Sequence, residues 1–199
     1  FYFRCDSINT TCRPKQTVTT AAAPSPIPYC EDFESYNRNS YPPQWNKLFS
    51  DSYSSDIYVY DNSDIHSGSK SLRFKNYYNR RDYAVLPDFE IDSLNNLAVS
   101  FWLKTYDETS MTIGVMSDPN DYNTFLPVQS FTSDNAFGRK LVTLNSLPGD
   151  ARYLAFRSTA PNSFCTRYLY LDDIYIDTVG AADFRIRSRS EERFSRNAE

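Results

Sequence analysis

The apolar residues of this chain come in short stretches, either alternating with polar ones or briefly continuous, divided by clusters of Asn, Asp, Ser and Pro. In LAVSFWLKT, Val99, Phe101 and Leu103 fall on one side of an extended segment and Ala98, Ser100, Trp102 and Lys104 on the other. Elsewhere no window of 12 residues carries a convincing helical stripe. The pattern predicts strands near 30–35, 44–49, 57–61, 71–76, 82–87, 97–106, 111–117, 125–131, 140–145, 152–157 and 168–176. So many short strands with regular turn signals imply an all-β sandwich. With only 5 glycines, most tight turns fall to Asn and Asp.

The flanks differ from this body. Residues 1–15 read as the closing strand of something earlier, and Thr/Ala/Pro-rich 16–28 as a linker held extended by Pro24, Pro26 and Pro28. The expectation is a fragment of a longer protein: a preceding domain's end and linker over 1–28, a module over 29–180, and a tail over 181–199. The tail holds five arginines, but Glu191, Glu192 and Glu199 interrupt it, so it reads as solvated chain.

Charge narrows the partners. With 21 basic and 25 acidic residues the net charge is −4, which offers nucleic acid no basic stripe. No apolar run reaches the length of a membrane-spanning helix, so no membrane insertion is expected. The 4 cysteines form no CxxC or His/Cys cluster, which speaks against zinc, and their even number favours an extracytoplasmic setting. Cys5 and Cys12 flank a turn-rich stretch that a hairpin-closing bridge would suit.

Motifs for catalysis are poor. The single histidine, His66, stands in DIHSGSKS without a nucleophile elbow and reads as a turn residue opening the next strand. Glu90 and Asp92 would lie roughly 6.6–7 Å apart on a strand, within the spacing of about 6.5–9.5 Å used by inverting glycosidases. They fall in a loop signature after Pro87, however, and a jelly-roll glycosidase or lyase is the least favoured reading. Asp118–Phe125 (DPNDYNTF) lacks the central Gly and final Glu of an EF-hand and reads as an Asx/Pro turn.

One stretch is at odds with its surroundings. YLYLDDIYI (168–176) puts Asp172 and Asp173 in the middle of an apolar strand, where an uncompensated charge costs several kcal/mol. A catalytic pair, a metal site and a surface ligand site are the functional alternatives.

CEDFES (30–35), Trp45, HSGSKSL (66–72), LAVSFWLKT (97–105) and YLYLDDIYI occur in an order that resembles the jelly-roll adhesion and carbohydrate-binding modules of bacterial surface proteins. MAM-type and cleaved-adhesin domains share this layout, and 114–131 is similar to sequence from multidomain surface proteins of the Bacteroides and Prevotella kind, whose modules alternate with fibronectin-like repeats. The resemblance implies a two-sheet jelly-roll β-sandwich whose first and last strands are antiparallel neighbours. It also implies a structural calcium (Ca2+) held by Glu34, by Asp172 or Asp173, by Asp32 and by the Ser67–Lys70 turn. Alternatively, Asp172 and Asp173 accept hydrogen bonds from backbone N–H groups and from Ser and Lys side chains of that turn. If Phe33 opposes Asp172, paired residue numbers sum to about 205. Cys30 then faces residue 175 rather than Cys165, which argues against a bridge between the two cysteines.

The resemblance further implies a non-catalytic extracellular module, monomeric within its chain, that binds a glycan or a host or cell-surface protein. Aromatic rings would stack on a sugar face while polar groups bond its hydroxyls. Tyr58, Tyr60, Tyr77, Tyr78 and Tyr122, with Arg80 and Arg81, are the candidates. At least one of Phe101 and Trp102 is assigned to the core. A spacer domain with no ligand is the alternative.

Overall fold

The computed structural model describes residues 23–50, 55–77, 80–106, 109–161 and 165–179. Among these residues eleven strands occupy the expected places: β1 Tyr29–Glu31, β2 Asn46–Phe49, β3 Asp56–Tyr60, β4 Ser71–Tyr77, β5 Arg81–Val85, β6 Leu97–Thr105, β7 Ser110–Met116, β8 Leu126–Phe131, β9 Gly138–Leu144, β10 Tyr153–Thr159 and β11 Thr166–Thr178. They form two antiparallel sheets, one in the order β3-β4-β11-β6-β9 with β1 also on β11, the other β2-β5-β10-β7-β8. The chain is a two-sheet jelly-roll β-sandwich.

Alternation explains the core. Val99, Phe101 and Leu103 on β6 are fully buried, as are Leu72 and Phe74 on β4 and Leu169 and Leu171 on β11. Phe101 meets Phe156 of the facing sheet edge-on, ring centroids 5.0 Å apart. Each such ring or aliphatic group removed from water contributes about 1.5–3 kcal/mol. Trp102 points the other way, onto the outer face.

Strand β11 organises the six-stranded sheet. One of its edges pairs first with β4, from Thr166↔Tyr77 to Leu171↔Leu72, and then with β1, from Ile174↔Glu31 to Ile176↔Tyr29. Cys30 therefore faces Tyr175, as the sum rule expects, while Cys165 lies beyond the opposite end of β11. Among the described residues neither cysteine forms a disulfide, and both are exposed. Cys5 and Cys12 are outside the described residues.

The first strand is shorter than expected. After Glu31 the chain leaves the ladder, Phe33 takes a left-handed φ of 58°, and its ring drops into the core against Trp45 at 5.9 Å. The indole N–H of Trp45 donates to the Tyr29 hydroxyl at 2.9 Å. The Phe and Trp of the opening motif are thus one packing unit closing an end of the sandwich. Within the expected linker, Ser25 bridges to Phe89, its N–H donating to Asp88 and its carbonyl accepting from Glu90.

The outer face of the five-stranded sheet is covered. The segment after β7 folds back so that Phe125 packs with Leu48 and Tyr153 onto Tyr83, Val85, Met116 and Ala155. A single 3-10 turn at Tyr122–Thr124 shapes this cover, its N-cap Asp121 accepting from the Asn123 N–H. Pro127, with no N–H to give, sits on edge strand β8 beside a register shift.

Candidate functional site

The handover on β11 accounts for the tandem aspartates. Pairing with β4 stops at Leu171 and pairing with β1 begins at Ile174, so Asp172 and Asp173 lie in the gap between two partners. On the other edge the register with β6 shifts between Asp172 and Tyr175, and Asp173 adopts a φ of 45°. The 66–70 turn fills the gap. Asp172 Oδ2 accepts the N–H groups of His66 and Ser67 at 2.9 and 3.2 Å, and its Oδ1 accepts the N–H of Asp173 at 2.8 Å. Asp173 takes the Ser67 hydroxyl at 2.9 Å and pairs with His66 Nδ1 at 2.6 Å.

Glu34 holds the other half of the same turn. Its Oε1 accepts the N–H groups of Ser69 and Lys70, both at 2.8 Å, and its Oε2 the Ser69 hydroxyl at 2.7 Å. Those donors outweigh burial and lower the Glu34 pKa. Asp32 turns inward on its own loop, accepting the Glu34 N–H at 3.1 Å. Asp172 is wholly buried; desolvation first, then the Asp173 charge, pushes it up to about 8 against the opposing N–H donors.

These residues do not fit a calcium cage. The turn meets the carboxylates with N–H groups, whereas a hard dication needs six to eight oxygens. The backbone carbonyls of Glu34 and Tyr36 are taken by the Lys70 ammonium at 2.8 and 2.6 Å. Nδ1 of His66, not a calcium ligand, lies with the Asp172 and Asp173 carboxylates inside a 4.8 Å cluster. Of the residues named for calcium, Glu34, Asp172 and Asp173 converge on the turn that carries Ser67 and Lys70, Glu34 and Asp172 capping its backbone N–H groups, whereas Asp32 stays on its own loop.

The expected sugar-binding residues divide among three places. Tyr122 stacks on Tyr83 at 5.9 Å, on the covered face of the five-stranded sheet. Tyr77 ends β4, with the Arg80 guanidinium 5.9 Å from its ring, and Arg81 opens β5 in the other sheet. Tyr78 lies outside the described residues. Among the described residues Tyr58, Tyr60 and Tyr77 share the outer face of the six-stranded sheet, Tyr77 at the far end of β4, while Tyr122 and Arg81 lie on the other sheet, so no single surface unites the set.

That outer face holds residues that the sequence reading passed over. Register aligns Tyr58, Arg73, Tyr170 and Lys104 in one row across β3, β4, β11 and β6. Tyr168 and Lys75 are neighbours in the next row. The Arg73 guanidinium lies 4.5, 3.9 and 4.9 Å from the ring centroids of Tyr58, Tyr60 and Tyr168. Asp64, on the turn after β3, accepts from the Lys104 ammonium and the Tyr106 hydroxyl, both at 2.7 Å. These partners overcome the desolvation that would raise Asp64 and leave its pKa lowered. Further along, the His66 ring stacks on Trp102 at 3.7 Å. The result is a half-buried aromatic and cationic strip about 14 Å across four strands. The alternation of SLRFKN and YLYLD, with Leu and Phe inward, was the available signal for Arg73, Lys75, Tyr168 and Tyr170.

Solved structures share this fold. The K2 cleaved adhesin domain of Lys-gingipain superposes with a TM-score of 0.61 at 16% identity, over 76% of this chain and 98% of that one. The K1 domain from Porphyromonas gingivalis W83 gives 0.60 at 18%, with the same coverages of 76% and 98%. The K3 domain from the same organism gives 0.58 at 20%, over 75% of this chain and 96% of that one. No protein-family model and no curated protein sequence matches the chain.

Proposed function

We propose that this chain is a non-catalytic binding module of an extracellular or cell-surface protein and that it takes a glycan on the outer face of its six-stranded sheet. The observation that carries the reading is the strip of tyrosines Tyr58, Tyr60 and Tyr168 around Arg73. Side chains with two rotatable bonds, fixed by cross-strand neighbours, offer flat apolar area with hydroxyl handles at low entropic cost. Sugar rings need both features. The adhesin-type fold supports a surface setting, and among the described residues no helix is long and apolar enough to cross a membrane. Glu90 and Asp92, the pair weighed for glycoside hydrolysis, are exposed on the loop between β5 and β6.

Affinity electrophoresis of the chain against a glycan panel tests the proposal. Retardation by at least one glycan, lost in a Tyr58→Ala/Tyr168→Ala double variant that still melts cooperatively, supports it. Absence of binding throughout the panel favours the spacer alternative.

A further inference from the structure

We infer that the ligand of this face is anionic, a saccharide carrying carboxylate or sulfate groups that pair with Arg73 and Lys75. The inference rests on the glycan reading above and goes beyond it in naming the ligand's charge. Arg73 stands at the centre of the strip, yet among the described residues no carboxylate forms an ion pair with it. Its Nε is buried and makes no hydrogen bond to a described residue. A buried donor left without a partner is uncommon in folded proteins and calls for a further group, water or ligand, to meet it. The Arg73 side chain reaches the hydroxyl of Tyr170, which also faces Asp64 and so stands between the two charges.

Lys75 repeats the theme two residues along β4. It lies in register between Asp56 and Tyr168. Asp56 is occupied elsewhere, Oδ1 accepting from the Lys47 ammonium and from the Ile57 N–H, both at 2.8 Å. Lys104, by contrast, is neutralised by Asp64 at 2.7 Å. On β4, then, Arg73 and Lys75 bring to the middle of the strip two positive charges that form no ion pair among the described residues.

Chemistry matches this arrangement. A guanidinium fixed between rings is already ordered and presents a planar fork suited to a carboxylate or sulfate. Little rotamer entropy remains to be lost on binding. The tyrosines would meet the ring of the same sugar whose acidic substituent reaches Arg73.

The test is affinity electrophoresis and calorimetry of the chain with polygalacturonate, heparin and a neutral galactan, at low and high salt. Binding to a charged polymer about tenfold or more above the galactan, weakened by salt and reduced about tenfold in Arg73→Gln, is the expected result. Polygalacturonate alone would assign carboxylate, heparin alone sulfate. Lys75→Gln, on a surface position, gives a smaller loss and serves if Arg73→Gln melts early. Equal binding of galactan, abolished by Tyr58→Ala but untouched by Arg73→Gln and Lys75→Gln, overturns the anionic inference and leaves the glycan reading standing. Binding of none of the three overturns the anionic inference, and the glycan reading falls only if the wider glycan panel is also unbound.

Discussion

A Cβ atom placed on Gly68 would lie 2.5 Å from Oε1 of Glu34. The backbone there has a φ of +63°, so two constraints coincide at one position. Gly68 lets the turn approach closely enough for Glu34 to cap Ser69 and Lys70 while Asp172 caps His66 and Ser67. Gly68→Ala is expected to destabilise the sandwich by about 1–3 kcal/mol, read as a fall in denaturation midpoint. Gly149, with nothing within 4 Å, is the control, and its alanine variant should cost less. Equal effects at the two sites would show that Glu34 does not demand the glycine.

The same geometry bears on calcium. With N–H groups and an ammonium on the oxygens of Glu34, Asp172 and Tyr36, a dication would have to displace donors before binding. Melting temperatures in millimolar calcium and in excess chelator should coincide. A ligand bound only by the native state raises stability, so a clear rise with calcium would overturn this reading and restore the cage implied by the resemblance.

A second glycine makes a different demand. On Gly114 a Cβ would lie 2.4 Å from Phe125 Cζ and 2.5 Å from the Leu126 carbonyl oxygen. Gly114→Ala should therefore lift the 117–125 cover off Tyr83 and Met116. The expected signs are faster proteolysis within that segment and a loss of stability of about 1–3 kcal/mol. Unchanged proteolysis would mean that the cover adapts around the methyl group.

What the sequence discloses here follows from locality. Alternation is a property of a few consecutive residues, so Val99, Phe101 and Leu103 announce their own burial, and the eleven strands follow. Even the opposition of Cys30 and Tyr175 can be reached once the end strands are taken as neighbours. The role of Asp172 and Asp173 is non-local, because it depends on β11 exchanging β4 for β1 at that point. Parity is silent about which sheet a strand joins. That is why Tyr122 and Arg81 could be grouped with Tyr58 although one packs on the other sheet and the other belongs to it. Arg73 was missed for a related reason: its importance lies in three tyrosines brought from two other strands.

The final prediction concerns Asp82, an inward residue of β5. It is fully buried, and among the described residues only the Ser55 hydroxyl comes near its carboxylate, without a well-formed hydrogen bond. Desolvation pushes its pKa up to about 7, with the Ser55 hydroxyl and the Arg80 charge opposing and Asp56 adding. Asp172, facing Asp173 and His66, is raised to about 8. Unfolded aspartate titrates near 4, so between about pH 4 and these values the folded chain binds more protons than the unfolded one. The stability tied to the protonated groups is complete below about pH 4 and is lost as pH rises through 7 and 8. Glu34 and Asp64, whose pKa values are lowered, act oppositely, and their contribution disappears in stronger acid. The melting temperature should therefore be higher near pH 5 than near pH 8. Asp82→Asn keeps the shape and removes the ionisation, so it should gain about 1–3 kcal/mol over the parent at pH 8 and almost nothing at pH 5. A variant with the same pH slope as the parent would show that Asp82 stays charged in the fold and has found a partner there.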